Sequence, residues 1–207
     1  NLFILFLFLI SLSSAQQIIC SDPGHGGKDP GAVGCGNIEK TVNLDTANRL
    51  YTLLKNSGWK PYLTRSNDAT VSLSARTSYA NSIGANRFIS IHCNAFNGTA
   101  NGTETFCYGG GSSTSYSMRE KVNPQVVNAL ATYNRGCKTA DYYVIKYTNM
   151  PAILVELAFI DNSKDSAKLG DSYYRQKSAE AIKKGLELSY SREVEESFNN
   201  VYISPRW

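Results

Sequence analysis

Three side chains with metal-binding or acid-base chemistry are placed at or within apolar segments of the chain. His25 follows a short apolar segment, His92 ends a second one, and Glu156 is the only charge in a third. His25 and His92 are also the chain's only two histidines. Two imidazoles and one carboxylate are a ligand set of catalytic zinc sites, which leave a fourth position for water. A second carboxylate beside that water would take its proton, and Glu156 is the candidate for this base.

The apolar segments that carry these residues are predicted strands of an α/β domain. The hydrophobic patterns predict strands at 17–21, 60–64, 87–92, 103–108, 141–147 and 152–157, and helices at 42–57, 72–83, around 122–130 and near 172–188. Such alternation predicts one domain with a mostly parallel sheet and helices on both faces. Ligands of these sheets lie beyond the carboxyl ends of the strands. We therefore expect His25, His92 and Glu156 to meet at one rim.

Each candidate residue also has a purely structural interpretation. A single histidine at a strand end is more often a hydrogen-bonded rim residue than a metal ligand. Glu156 could be a structural carboxylate paired with Arg65 or Arg76, since an unpaired buried carboxylate costs several kcal/mol. The residue types alone leave both interpretations open.

Other motifs near the histidines are incomplete. The glycine-rich segment 22–31 lacks the spacing of phosphate-binding loops, and its His-Gly-Gly has no Gly-x-Ser-x-Gly partner elsewhere in the chain. Cys93 beside His92 suggests a cysteine-protease pair. Adjacent strand residues point to opposite faces, however, which excludes that pair.

Composition and the two chain ends indicate an exported globular protein. The 207 residues are 42% apolar and 18% charged, with a net charge of +4 and no basic run longer than two residues, so no nucleic-acid partner is expected. The apolar run 2–10, followed by small residues at 13 and 15, predicts an N-terminally incomplete signal peptide over 1–15. We expect a secreted protein without stable membrane insertion, a catalytic domain at 16–188 and a loosely attached polar tail at 189–207.

Five cysteines in an exported chain predict disulfide bonds, with at least one thiol left over. Their pairing does not follow from the sequence. Asn97 and Asn101 each begin a glycosylation sequon, and occupancy at either site stays open.

Six blocks of sequence, in order, resemble the zinc-dependent N-acetylmuramoyl-L-alanine amidases of the amidase 3 type. They are DPGHGGKDPGA (22–32), EK (39–40), LSAR (73–76), SIHCNA (90–95), GTET (102–105) and LVELAFIDN (154–162). The resemblance covers residues 17 to 187 and implies a sheet of about six strands between helices. It also implies that His25, Glu39 and His92 bind Zn²⁺ and that Glu156 is catalytic. Without it, Glu39 would be assigned as a solvated surface charge in a glycine-rich loop.

The resemblance implies a substrate and a reaction. The enzyme would act as a monomer on peptidoglycan, cutting the amide bond between N-acetylmuramic acid and the L-alanine of the stem peptide. Two alternatives remain: a secreted peptidoglycan-binding receptor without activity, and a zinc peptidase or deacylase that acts on another amide. The cysteines depart from the family pattern, and a disulfide at the active-site rim is the expected role for some of them.

Overall fold

Strands and helices alternate along residues 16–202, the part of the chain that the computed structural model describes, with side chains described for 16–191. The strands are β1 (Ile18–Pro23), β2 (Val33–Gly34), β3 (Asn37–Ile38), β4 (Lys60–Leu63), β5 (Arg87–Asn94), β6 (Thr103–Cys107), β7 (Asn134–Thr139) and β8 (Ala152–Phe159). The helices are α1 (Glu39–Asn56), α2 (Leu73–Ser82), α3 (Ser113–Leu130), α4 (Tyr143–Lys146), α5 (Ser163–Gly170) and α6 (Ser172–Tyr202).

Six of the strands form one sheet in the order β4-β1-β5-β8-β6-β7. Every neighbouring pair is parallel except β6 and β8, which run antiparallel. The short strands β2 and β3 form a separate hairpin just before α1. The predicted single-domain, mostly parallel α/β fold with about six strands is confirmed.

The sheet is covered on both faces because its central strands are apolar on both sides. Successive residues of one strand belong to different hydrophobic clusters, as the alternating side-chain directions of a strand require. Ile19, Ile89 and Val155 belong to the cluster that includes residues of α1, α3 and α6. Cys20, Phe88 and Leu154 belong to the cluster that includes residues of α2 and α4.

One predicted element is wrong, and the prediction lacks β7 and α5. The predicted strand at 141–147 is wrong, because this segment contains the short helix α4 and the edge strand is β7 at Asn134–Thr139. The aromatic and β-branched residues of α4 favour a strand, but its two buried residues, Val144 and Ile145, are adjacent rather than alternating. Strand β7 is polar and half-buried, so it has no apolar signal. Helix α5 had no predicted counterpart.

The chain ends show a further difference. Helix α6 does not stop near 188 but continues to Tyr202, and Ser189 is fully buried. Residues 189–191 therefore continue the domain's last helix. The predicted signal peptide at 1–15 lies outside the described residues. Within 16–202, the structure contains no helix with the length and apolarity needed to span a bilayer.

Within the part of the chain that the structure describes, none of the expected disulfide bonds is seen, and all five cysteines are free thiols. Cys107 and Cys137 lie on neighbouring strands, but Cys137 pairs in register with Thr105. The two cysteines are therefore offset by two residues along the parallel strands rather than directly opposite each other. The structure does not show the expected disulfide at the active-site rim, where Cys93 is a buried free thiol.

Candidate metal centre

Two buried arginines fix the loop that follows β1. Arg65 donates to the carbonyl oxygens of residues 23 and 24, and Arg76 donates to those of residues 23 and 25. Arg76 also pairs with the buried carboxylate of Asp22, at 2.7 Å. Buried charges need such partners. Both arginines therefore serve the loop, and the interpretation that pairs one of them with Glu156 is wrong.

The loop and strand β5 bring the two histidines to the same carboxylate. Nε2 of His25 lies 3.2 Å from Oε1 of Glu39, and Nδ1 of His92 lies 3.0 Å from the same oxygen. One ligand atom from each of the three residues lies within 4.8 Å of the others. Gly24 makes this approach possible, because a Cβ at that position would lie 2.2 Å from the His92 ring.

Glu39 begins α1 and is almost completely buried, with both oxygens held by the protein. Oε2 accepts a hydrogen bond from the backbone N–H of Ala32, and Oε1 accepts from the N–H of Cys93 and the amide of Asn43. Burial alone would raise the pKa of Glu39, but hydrogen bonds from His25 and His92 outweigh it and lower the pKa well below its usual range. Glu39 is thus a fixed anion at neutral pH.

His25 is oriented by a residue that sequence reasoning missed, Asp29. Nδ1 of His25 lies 2.8 Å from Oδ2 of Asp29. A carboxylate at Nδ1 favours the proton on that nitrogen and leaves Nε2 directed at Glu39, as outer partners of metal-binding histidines do. His25 also has φ of 61°, a left-handed conformation that is costly for a residue with a side chain. The sequence gives no signal for Asp29 beyond its place four residues after His25.

Glu156 lies beside this group on β8. It is in register with His92 on the neighbouring strand β5, so both side chains are on the same face of the sheet. Its Oε2 atom is buried and has no hydrogen-bond partner. Burial raises the pKa of Glu156 to about 7, with the nearby Glu39 and Glu104 carboxylates adding to the effect and the histidines opposing it.

The four predicted residues are therefore together at one rim, and their chemistry fits a zinc ion. Two imidazole nitrogens and one carboxylate oxygen within 4.8 Å of one another are the donor set of a three-ligand site with an open position. The unpartnered Oε2 of Glu156 is an acceptor without a donor, as a base for a water in that open position would be.

A cavity of about 410 Å³ opens beside the centre, with His25, Asp29 and His92 in its wall. Val71 and Leu73 from the start of α2 also line it, together with Val144 of α4. A partly apolar cleft thus leads from solvent to the point that the ligand atoms of His25, Glu39 and His92 surround.

Neighbouring residues that sequence reasoning considered have structural roles. Cys93 points into the core next to Asn43, and burial raises the pKa of its thiol well above the usual value, so it is not a nucleophile. Asn162, in the last of the six blocks, caps the N-terminus of α5. Asn94, in the block 90–95, donates to Glu104 at 2.6 Å. Glu104 itself was not predicted as a site residue.

Replacing Gly31 by Ala should weaken zinc binding about 10- to 100-fold, comparable with loss of an outer partner of a metal ligand. A Cβ at Gly31 would lie 2.6 Å from Oε2 of Glu39 and 2.7 Å from the His25 ring. The control is Gly84→Ala, because Gly84 has a similar positive φ but no atom within 4 Å of the added Cβ. Competition with a chromophoric chelator measures both affinities. Equal affinities would mean that Gly31 does not shape the site.

Zinc affinity should rise with pH by about tenfold per unit between pH 6 and 8, because binding must displace a proton. The hydrogen bond that His25 donates to the Glu39 carboxylate is the largest cause that raises the pKa of His25, to about 9, although burial opposes it. His25 is therefore protonated at pH 7 in the metal-free site. Protons stop competing with the metal for His25 only above pH 9. Isothermal titration calorimetry in buffers of different ionisation enthalpy counts the released protons. A flat affinity over this range would contradict the prediction.

The chain is similar to proteins of one enzyme family over almost all of the described domain. Residues 19–188 match the family Amidase_3, described as N-acetylmuramoyl-L-alanine amidase. LytC of Bacillus subtilis (strain 168), an N-acetylmuramoyl-L-alanine amidase, is 46% identical over 183 residues, which cover 85% of this chain but only 36% of LytC.

Solved structures of such enzymes have the same fold. An N-acetylmuramoyl-L-alanine amidase from Clostridium difficile 630 has a TM-score of 0.82 and 31% identity, and the match covers 86% of this chain and 98% of that one. The catalytic domain of CwlV from Bacillus (Paenibacillus) polymyxa var. colistinus has a TM-score of 0.80 and 33% identity, with 85% and 99% covered.

Proposed function

The chain belongs to the N-acetylmuramoyl-L-alanine amidase family Amidase_3, and on this premise we propose that it hydrolyses the amide between N-acetylmuramic acid and L-alanine in peptidoglycan. One observation carries the proposal. Three residues far apart in the sequence, His25, Glu39 and His92, surround one point, and the unpartnered carboxylate oxygen of Glu156 lies beside it. The substrate lies outside the cell membrane, in keeping with the predicted export.

We propose that His25, Glu39 and His92 hold Zn²⁺. When bound there, the ion would polarise the scissile carbonyl and lower the pKa of a water in its open position to about 7. Asp29 keeps Nε2 of His25 free for this role by holding Nδ1. Ala32 and Cys93 fix the two oxygens of Glu39 through their backbone N–H groups.

The two glutamates of the centre have separate tasks. Glu39 has every oxygen engaged and a lowered pKa, so it does not accept a proton during the reaction. Glu156 has a free Oε2 and a raised pKa, and it is the group that takes a proton from the attacking water. Burial stabilises the protonated carboxyl, which then gives its proton to the departing L-alanine amine. Hydrolysis leaves a glycan with a free lactyl carboxylate and a peptide with a free N-terminal alanine.

Product analysis on purified cell walls tests this function. Incubation with the zinc-loaded protein should release peptides that begin with L-alanine and leave glycan strands of unchanged length, as mass spectrometry of the muropeptides would show. Cleavage at another amide of the peptide would support the zinc peptidase or deacylase alternative. Tight binding to the wall without any new N-terminal alanine would support the receptor alternative.

A further inference from the structure

A row of side chains leads from the metal centre toward the far edge of the sheet. Glu156 on β8 is in register with His92 on β5 and with Glu104 on β6. Residues in register on neighbouring strands point to the same face and are separated by about 4.8 Å. The row therefore continues beyond Glu156, on the side away from the His25 loop.

Two cations meet at the end of this row. Glu104 is almost completely buried and pairs with Nε of Arg135 at 3.0 Å and with Nζ of Lys138, both from β7. The side chains of Arg135 and Lys138 are 31% and 40% exposed. One carboxylate thus holds two partly exposed cations, and the group keeps a net positive charge that faces solvent.

The proposed proton transfer by Glu156 determines on which side of the metal each half of the substrate lies. Glu156 protonates the departing amine, so the peptide half of the substrate lies on its side of the metal. The muramoyl half then lies toward the cleft beside His25 and His92, where Val71 and Leu73 form uncharged walls. Along β8 and β6 the peptide would reach the charged ends of Arg135 and Lys138, which contact the carboxylate of Glu104 one strand spacing beyond Glu156.

We propose that Lys138 and Arg135 bind a carboxylate of the stem peptide, and that Glu104 is the positioning residue that holds them. This inference rests on the proposed function. The carboxylate of Glu104, which the two charged ends contact, is two strand spacings from His92, about 10 Å, and this corresponds to two or three residues of extended peptide. The carboxylate bound is therefore that of the residue after L-alanine, the α-carboxylate of the γ-linked D-glutamate. Charge-assisted hydrogen bonds from lysine and arginine are the usual means of holding such a group.

The test compares two muramoyl tripeptides that differ only in this carboxylate, one with the free acid and one with its amide. Titration calorimetry on the zinc-loaded Glu156→Gln protein measures binding without hydrolysis, and the otherwise unaltered enzyme gives kcat and KM. We expect Lys138→Gln and Arg135→Gln to weaken binding of the acid about fivefold, as loss of one charge-assisted hydrogen bond near the surface would. Binding of the amide and kcat should not change, and Lys138→Arg should restore preference for the acid.

Lys177→Gln is the matched control, because Lys177 is 39% exposed and also pairs with a carboxylate, Glu180, on α6. Circular dichroism and zinc content confirm that each variant is folded. Equal losses on acid and amide, or an equal loss in Lys177→Gln, would overturn the inference. Failure of the unsubstituted enzyme to release the tripeptide from the muramoyl group of either compound would instead contradict the proposed function.

Discussion

Replacement of Glu156 by Gln removes hydrolysis and leaves zinc in place. The change keeps the shape of the side chain but removes the group that takes and returns the proton, so the rate should fall by about 10²- to 10⁴-fold. Zinc should remain because its three proposed ligands are on other elements, β5, α1 and the loop after β1. The appearance of peptides with a free N-terminal alanine measures the rate, and elemental analysis measures the zinc content.

The control for this variant is Glu180→Gln, which removes a surface carboxylate that pairs with Lys177. It should have unchanged activity. Full activity of Glu156→Gln would show that another group is the base. Loss of zinc together with activity would show that Glu156 is a ligand rather than a base.

Replacement of His92 by Ala should abolish stoichiometric zinc binding and, with it, all activity. Loss of an outer partner alone weakens metal affinity about 10- to 100-fold, so loss of a ligand should cost more than that. Dialysis against nanomolar free zinc followed by elemental analysis gives the zinc-to-protein ratio, which should fall from one to near zero.

The neighbouring residue supplies the matched control. Cys93 is adjacent to His92 on β5 but points into the core, so Cys93→Ala should lower stability by about 1 kcal/mol while it keeps zinc and activity. An inactive, zinc-loaded Cys93→Ala protein would support the cysteine-protease interpretation of Cys93 and His92. Unchanged zinc content in His92→Ala would remove His92 from the ligand set.

Sequence patterns predict the site residues that end or interrupt apolar strands, and they do not predict the others. His25, His92 and Glu156 could be found because each interrupts or ends an apolar strand, and parallel strands bring their carboxyl ends to one edge. Glu39 follows a polar hairpin and begins a helix, where an acidic residue is common, so only the family resemblance identified it. Asp29 and Glu104 lie in blocks of the family resemblance, but their contacts with His25 and with the cations of β7 are formed only in the fold, and hydrophobic patterns do not predict them.

The fold was also predictable where strands are apolar and not where they are polar. Central strands such as β1, β5 and β8 are buried on both faces and give continuous apolar runs. The edge strand β7 is half-buried and polar, so hydrophobic patterns do not find it. In α4, strand-forming residues adopt one helical turn because only Val144 and Ile145 need burial.

Titration of the metal-free protein with zinc tests the central claim most directly. The release of peptides with an N-terminal alanine from purified peptidoglycan is followed as zinc is added to the unsubstituted protein and to His92→Ala. We predict no activity without metal, a linear rise that ends at one zinc per chain, and no response in the variant. Full activity of the metal-free protein, or none at one equivalent of zinc, would contradict the account.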